Sequence, residues 1–357
     1  VAGHFLASRD RTTLATLNFD TLLETAIIRE GEPYVTAVHD GSRDPGEPAV
    51  HHLHGVVFDQ TAYGPVVGFT DYAELVANEE AWQRQFLSAA LAHGPLLLAG
   101  TSYRDPDIRH WLHLIFRDES PENPALVTVV REGLGLDRTV FGTVDTALAS
   151  EWESIGLTAL QMEDLADVAL VIRELQHVSR SNYRAPQDRA RQVWKSHARN
   201  FTTLQDRYGE SLSVDAATVG ALLDVVVHRA TLWIANGEGH LARWATEGVR
   251  YRDVGYLKLV PTGHDSPWIA GEAIASEEVK LKDVERDVQV SPTWQSVLAI
   301  PIFVGDGEMP DFAGAVLTFG LSESAAGLLE REETWSTVVE ELSTAWSARI
   351  GNLSFKH

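Results

Sequence analysis

Apolar runs of strand length alternate with helix-like segments through the first half of the chain, and this alternation constrains the fold more than any other feature. The strand-like run at 13–17 is followed at once by a helix-like segment at 20–29. A continuous apolar run at 95–99, as expected for a parallel strand buried on both faces, precedes a helix-like segment at 106–116. Strands that alternate with helices are typical of an α/β domain with a parallel sheet. The same patterns predict a strand at 51–58 bent at Gly55, a helix at 71–93, strands at 125–130 and 156–160, and a helix at 165–178.

Polar and small residues stand at the ends of three of these predicted strands. Asn18 and Asp20 follow the first strand, and His52 and His54 lie in the second. The third strand leads into a loop with four small or polar residues, Gly100, Thr101, Ser102 and Asp105. The carboxyl ends of parallel strands meet along one edge of a sheet, which is where open α/β sheets bind ligands. We therefore predict a nucleotide-handling site at this edge.

Each of these residues also has a purely structural interpretation. Asp20 caps the following helix and Asn18 satisfies the turn, unless the Asn18 amide binds a ribose or a water. His54 is a general base, a core or surface histidine, or a metal ligand together with His52, although no acidic third ligand is evident. The loop at 100–102 either only connects the strand to the next helix or binds phosphate and ribose through its amides and hydroxyls. Asp105 is explained by helix capping alone.

The charge balance limits the partners of the chain. Asp and Glu number 51 against 29 Lys and Arg, which gives a net charge of −22. A surface this acidic repels phosphate backbones, and we expect no nucleic acid among its partners. The chain has no cysteine, which excludes disulfides, cysteine-ligated zinc and thiol catalysis. No apolar run reaches the roughly 20 residues that span a bilayer and no signal-peptide pattern is present, so we expect a cytoplasmic protein without a membrane partner.

The second half of the chain has a different pattern. Residues 179–213 are polar, with basic residues in patches, and are interpreted as a helical linker with a solvated face. From 214 to 352 an amphipathic helix, strand-like runs and a final helix predict a second, α+β domain. The strand-like runs lie at 230–235, 241–245, 255–259, 295–303 and 313–319. We therefore predict domains at 1–178 and 214–352, joined by the linker.

Three motifs of the first domain resemble those of the sirtuin-like NAD-binding family. Thr16-Leu17-Asn18-Phe19-Asp20 is similar to its Thr-x-Asn-x-Asp turn, Leu53-His54-Gly55 to the segment of its catalytic histidine, and Gly100-Thr101-Ser102 to its nucleotide loop. With Asp105-Pro106-Asp107-Ile108-Arg109 after that loop, the chain looks like the prokaryotic branch found in anti-phage defence systems, such as Thoeris effectors. The resemblance covers residues 1–178 and implies a Rossmann-like parallel sheet. The Gly-Ala-Gly loop that cradles the NAD pyrophosphate in the family would lie before Val1, and the first methionine is Met162, so we expect the chain to begin inside a longer product.

The resemblance implies hydrolysis of NAD+ to nicotinamide and ADP-ribose, with NAD+ as the substrate and no metal. Asn18 would position the nicotinamide ribose or the attacking water, and His54 would act as the general base. The nucleotide would be bound by Thr16, Asp20, Gly100, Thr101, Ser102 and Asp105. The cysteine-based zinc module of deacylating sirtuins cannot exist here, so protein deacylation is the less favoured activity. A catalytically degenerate nucleotide sensor or scaffold stays open as the alternative.

Residues 214–352 resemble a GAF domain, a small-molecule sensor module. Residues 267–275 are similar to its Gly-x-x-Gly-x-Ala segment without the first Gly, and residues 294–302 to its Ser-x-Leu-x-x-Pro-Leu strand. The resemblance implies a small-molecule or nucleotide effector, and we expect no haem. Four tryptophans either line a pocket or pack in the core: Trp233, Trp244, Trp268 and Trp294. The final helix, with an apolar face from Trp335 to Ile350, is a candidate dimer surface, so we expect a homo-oligomer and, in a defence system, a partner protein.

Overall fold

The computed structural model describes residues 1–8, 11–42, 46–101, 106–119, 121–284, 294–305 and 307–354, with side chains except at 332–334. Two compact units divide the chain, Val1–Gln176 and His177–His357. In the described ranges no helix has the length and apolar character needed to cross a membrane.

Strands and helices alternate in the first unit. Its strands are β1 (Leu14–Thr16), β2 (Thr36–Val38), β3 (Ala49–His52), β4 (Val56–Phe58), β5 (Thr61–Tyr63), β6 (Leu96–Leu98), β7 (Ala125–Val130) and β8 (Leu157–Met162). Its helices are α1 (Ala2–Ala7), α2 (Leu22–Arg29), α3 (Phe69–Ala77), α4 (Trp82–His93), α5 (Pro106–Asp118), α6 (Arg138–Glu153) and α7 (Leu165–Leu175). Two parallel sheets have the strand orders β1-β3-β2 and β6-β7-β8, and β4 and β5 form an antiparallel hairpin. The predicted α/β class with parallel strands is confirmed.

Three local predictions for this unit were wrong. The single helix predicted at 71–93 is two helices, α3 and α4, because the Asn78 side chain accepts a hydrogen bond from the amide of Glu80 and turns the chain there. The strand predicted at 51–58 ends at His52, and β4 begins only after a turn. Strand β6 is half-buried rather than covered on both faces.

Helix α5 forms the centre of the larger apolar cluster in the first unit. Its buried side chains recur at helical spacing: Ile108, Trp111, Leu112 and Ile115. They pack with Val127 and Val129 of β7 and with residues of α4 and α6. A smaller cluster joins α1 and α2 to β3 through Phe5, Ile27 and Val50.

The second unit is built on one antiparallel sheet. Its strands are β9 (Val227–Ala235), β10 (His240–Thr246), β11 (Leu259–Pro261), β12 (Lys280–Asp283), β13 (Ser296–Val304) and β14 (Phe312–Leu321), in the order β11-β10-β9-β14-β13-β12. Its helices are α8 (Pro186–Arg199), α9 (Phe201–Leu223), α10 (Ile269–Ser276), α11 (Ala325–Leu329) and α12 (Glu332–Ser354). This arrangement confirms the predicted α+β class. The strand predicted at 255–259 was wrong: residues 254–256 form a short 3-10 helix, and β11 starts at Leu259.

Residues 179–213, interpreted from their charge as a linker, contain α8 and much of α9. Within each helix their apolar residues are three or four positions apart and are buried in the core of the second unit: Ala190 and Val193 in α8, and Phe201, Leu204, Tyr208 and Leu212 in α9. One of the basic residues is buried as well, because the Arg189 guanidinium lies over the Phe312 ring and donates to the carbonyl of Pro310. The segment therefore has an apolar stripe along its helices although most of its residues are polar or charged. The domain limits at 178 and 214 stay a prediction.

The apolar face of α12 is buried within its own unit. Val338, Leu342, Trp346 and Ile350 belong to the core, and the Trp346 indole donates to the carboxylate of Asp215 at 2.7 Å. These four residues are therefore not accessible to a second copy of the chain. That the helix forms a dimer surface stays a prediction.

Candidate functional site

The carboxyl ends of β1 and β3 lie side by side, and both carry predicted site residues. The two strands are parallel neighbours, with Thr16 opposite His52. Leu17 and Leu53, the residues that follow each strand, pack in one apolar cluster with Leu96 and Leu98 of β6. The ends of the three strands chosen from the sequence are thus joined by one cluster.

The Asn18 turn presents two exposed polar side chains, Asn18 and Asp20. The amide of Asn18 donates to the hydroxyl of Thr16 at 3.0 Å, and the amide of Leu22 donates to the carboxylate of Asp20 at 3.1 Å. The N-cap of helix α2 is Thr21, so Asp20 lies one residue before the N-cap position. Val57 donates from its amide to the carbonyl of Phe19 at 2.7 Å, which ties the turn to β4.

His52 and His54 contact different carboxylates, Glu24 and Asp107. The His52 ring is fully buried, with Nδ1 3.0 Å from the carbonyl oxygen of Asn18 and Nε2 2.6 Å from Oε1 of Glu24 on α2. Burial acts to lower the pKa of His52. The hydrogen bonds with Glu24 and the Asn18 carbonyl and the charges of Glu24 and Asp20 outweigh it, so the pKa is raised overall.

His54 is held by a carboxylate from another element. Its Nε2 is hydrogen-bonded to Oδ2 of Asp107, in the first turn of α5, and the residues are 4% and 0% exposed. A carboxylate accepts only, so Nε2 carries the hydrogen, and a neutral imidazole then has Nδ1 as its acceptor. The Tyr72 ring lies edge-on, with ring centroids 5.3 Å apart. This pairing suits a histidine that accepts protons at Nδ1.

The turn around His54 is fixed from three sides. Val66 donates from its amide to the carbonyl of His54 at 2.9 Å, and the Gln83 side chain donates to the carbonyl of Leu53 at 3.1 Å. Gly55 has φ +88, and a Cβ there would lie 2.6 Å from the carbonyl oxygen of Tyr63. The backbone at Tyr63 and Gly64 therefore lies too close to Gly55 for any side chain at this position.

The predicted nucleotide loop is described only in part. Gly100 follows β6, is exposed and has φ +71, a conformation that favours glycine. Thr101 is half-buried. Ser102 and Asp105 lie outside the described residues. Further along the chain, Asp107 in the first turn of α5 contacts His54.

Glu24 and Asp107 are the two site carboxylates that the sequence reasoning missed. Both lie on the buried face of an amphipathic helix: Asp107 is one turn before Trp111, and Glu24 one turn before Ile27. An acidic residue on a buried stripe is the signal that could have found them, because a buried carboxylate needs a partner. In the ranges that the structure describes, no group of three metal-ligating side chains is found.

A second polar cluster lies in the second unit, around Lys258. Its ammonium nitrogen is 3.7 Å from the centroid of the Trp268 ring, which is 36% exposed and 6.1 Å from the ring of Trp233. The amide of Arg243 donates to the carbonyl of Lys258 at 2.9 Å, and the Arg243 guanidinium lies over the Tyr251 ring. Partial burial and the charge of Arg243 lower the pKa of Lys258. Among the described residues, neither cation has a carboxylate within ion-pair distance.

The other two tryptophans, Trp244 and Trp294, pack against neighbouring residues of the second unit. The fully buried Trp244 ring is surrounded edge-on by Trp194, His197 and Phe201, and Trp294 lies against Gly320. Of the four tryptophans considered for a pocket, Trp233 and Trp268 are the two whose rings lie close together, and Lys258 lies over the ring of Trp268.

Residues 12–160 match the family model of the SIR2-like domain. Domains of this family use NAD+. No curated protein matches the chain.

Two solved structures are similar to about half of the chain. One is described as a GAF sensor protein from Burkholderia vietnamiensis, with 12% identity, a TM-score of 0.27, and 48% of this chain and 98% of that chain covered. The other is described as the structure of the GAF domain, with 15% identity, a TM-score of 0.28, and 49% and 94% covered.

Proposed function

We propose that the first unit is an NAD+ hydrolase that cleaves the bond between nicotinamide and ribose. One observation supports this most: the exposed Asn18 and the His54–Asp107 pair lie at the carboxyl ends of neighbouring parallel strands in a SIR2-like domain. This is the edge at which parallel sheets bind nucleotides. The pair supplies a base, and Asn18 supplies an amide that can orient water or a ribose hydroxyl.

The proposed reaction consumes one water for each NAD+. The bond between ribose C1′ and the nicotinamide nitrogen breaks, its electron pair goes to nicotinamide, and nicotinamide leaves neutral. Water adds to C1′, while Nδ1 of His54 takes its proton and later releases it to solvent. The products are ADP-ribose, nicotinamide and one proton. Amides and hydroxyls of Gly100, Thr101 and Ser102 are the proposed phosphate and ribose contacts, and Thr16, Asp20 and Asp105 are proposed as further nucleotide-binding residues.

The test is release of nicotinamide from NAD+ by the purified full-length protein, followed by chromatography. We expect Asn18→Ala and His54→Ala to reduce turnover by about 100-fold or more, since positioning and general base catalysis each contribute on that scale. Asn352→Ala and His113→Ala change exposed residues of the same two types and serve as matched controls. Unchanged turnover in both site variants refutes the assignment.

Two other activities are separated by the same experiment. A catalytically degenerate sensor or scaffold would retain NAD+ in equilibrium dialysis without releasing nicotinamide. A deacylase would consume NAD+ only with an acyl-lysine peptide present. Since the chain has no cysteine for the zinc module, we expect no dependence on the peptide.

We further propose that the second unit binds an anionic small molecule or nucleotide and regulates NAD+ hydrolysis. The supporting observation is the cation pair Arg243 and Lys258 beside the exposed Trp268 ring, in a chain of net charge −22. Charged nitrogens recognise phosphate and a ring stacks on a base. The test compares NAD+ turnover with and without cyclic AMP, cyclic GMP or ADP-ribose. Equal turnover with and without each of the three contradicts regulation by these nucleotides.

The biological role proposed from the sequence resemblance is anti-phage defence by NAD+ depletion in the cytoplasm. It includes a homo-oligomer and a defence-system partner protein. Cells that express the chain are infected with phage, and cellular NAD+ and survival are compared with cells that express Asn18→Ala. Equal survival and equal NAD+ in the two cultures contradict the role. Light scattering of the purified chain tests the oligomer.

A further inference from the structure

The buried His52 ring has a hydrogen-bond acceptor on each side. Nδ1 faces the backbone carbonyl of Asn18 at 3.0 Å, and Nε2 faces the carboxylate of Glu24 at 2.6 Å. A carbonyl oxygen and a carboxylate oxygen both accept and do not donate. A neutral imidazole has one N–H and can satisfy only one of them. With Glu24 ionised, both hydrogen bonds form together only when the ring carries two hydrogens, as an imidazolium.

The surroundings compensate that positive charge. Glu24 is buried in the first turn of α2, where the helix dipole favours a carboxylate, and its Oε2 has no hydrogen-bond partner within the described residues. The titratable groups that act on His52 are Glu24 from α2 and Asp20 from the turn, both acidic. A buried carboxylate without a countercharge is costly. The ion pair with His52 removes this cost.

We propose that His52 is a positioning residue: as an imidazolium paired with Glu24, it holds the main chain at Asn18, and loss of its proton at high pH releases the turn. After deprotonation the remaining N–H stays with the charged Glu24, since a hydrogen bond to a carboxylate is the stronger one. The bond to the Asn18 carbonyl is then lost. The main chain that carries the exposed Asn18 side chain is then no longer held in position by His52.

The effect on catalysis rests on the proposed NAD+ hydrolysis, but the protonation state does not. The first experiment therefore needs no NAD+. The full chain is labelled with ¹⁵N-histidine, and the His52 ring signals are assigned by their loss in His52→Gln. At pH 7 we expect both ring nitrogens of His52 to carry hydrogens. A ring with one N–H at this pH overturns the proposal, whatever the chain does to NAD+.

The second experiment uses Glu24→Gln, which keeps the shape of the side chain but removes its charge. The amide of the introduced glutamine can donate to Nε2, so a neutral His52 can keep its Nδ1 hydrogen on the Asn18 carbonyl. We expect one N–H on the His52 ring in this variant, located at Nδ1. Glu30→Gln, which changes an exposed residue at the end of the same helix, is the matched control and keeps the doubly protonated ring.

NAD+ turnover between pH 6 and pH 9 then tests the positioning role. We expect wild type and Glu30→Gln to lose about tenfold at the alkaline end, the scale of one hydrogen bond. Glu24→Gln should lose this alkaline fall, and His52→Gln should be low at every pH. If Glu24 has a merely structural role, Glu24→Gln should have lower NAD+ turnover than wild type at every pH and should keep the alkaline fall. An alkaline fall that persists in Glu24→Gln overturns the proposal, whereas a wild type without turnover refutes the NAD+ hydrolase and leaves the ring experiment to decide on His52.

Discussion

Nε2 of His54 is hydrogen-bonded to Oδ2 of Asp107, and both side chains are buried where α5 begins. The two residues are 53 positions apart in sequence. The carboxylate fixes which ring nitrogen carries the hydrogen and leaves Nδ1 of the neutral ring as the acceptor. The structure thereby gives the candidate base a partner that its own segment, Leu53-His54-Gly55, does not contain.

Replacing Asp107 with Asn should slow NAD+ hydrolysis by about 100-fold, because an amide can present either a donor or an acceptor to Nε2 and no longer compensates an imidazolium. Asp118→Asn, at the exposed end of the same helix, should retain turnover. Nicotinamide release is the measurement, with thermal unfolding to confirm that the variants are folded.

A double-mutant cycle separates this role from general support of the fold. If Asp107 acts through His54, Asp107→Asn adds no further loss in a His54→Ala background. Multiplicative losses would mean that the two residues act independently and would contradict the pairing.

How far the sequence predicts the site depends on the distance over which each contact acts. Asn18 and His54 were found because strand ends and turns leave local signals in the chain. Strand β7 was predicted with its observed limits, since a run of apolar residues between turns is also a local signal. Glu24 and Asp107 meet their histidines only through tertiary packing, 28 and 53 positions away, and no local pattern names the partner.

The errors have the same physical origin. Most of the charges in residues 179–213 lie on the outer face of the helices. The packing of this segment depends instead on an apolar stripe that contacts β9 and α12. Strand β6 was expected to be covered on both faces, but local apolarity does not say which elements cover it. Local composition therefore predicts element types better than it predicts contacts.

Gly55→Ala should destabilise the first unit by at least about 2 kcal/mol, because the added methyl clashes with backbone rather than with a side chain that can move. Its Cβ would lie 2.6 Å from the carbonyl oxygen of Tyr63, and the residue has φ +88. The free energy of unfolding in urea is the measurement. Gly94→Ala is the control, since no atom lies within 4 Å of its Cβ position. Equal stability of the two variants would show that the hairpin can move away.

Lys258→Gln should weaken binding of an anionic nucleotide to the second unit by about tenfold, because it removes one of two adjacent charges. The charge of Arg243 lowers the pKa of Lys258, and a bound anion would relieve that repulsion. Calorimetry with cyclic AMP, cyclic GMP and ADP-ribose is the measurement, at two salt concentrations. Lys195→Gln removes an exposed lysine of α8 and is the control. Equal affinity in both variants would mean that the nucleotide binds elsewhere.

The stability of the second unit should fall as the pH drops from 6.5 towards 4, because of His197. The ring is fully buried, with Nδ1 donating to the carbonyl of Val193 and Nε2 accepting from the Tyr208 hydroxyl, both at 2.9 Å. Burial lowers the pKa of His197 from 6.5 to about 4. Between these values the unfolded chain binds a proton that the folded chain does not, so folding loses about 3 kcal/mol across this range.

Urea unfolding at several pH values measures this loss, and His197→Gln should flatten it. The glutamine amide can donate to Val193 and accept from Tyr208 without titrating in this range. His240→Gln replaces an exposed histidine and should keep the wild-type slope. If His197→Gln keeps that slope as well, the acid sensitivity of the unit comes from other groups, such as carboxylates whose pKa is lower in the folded than in the unfolded chain.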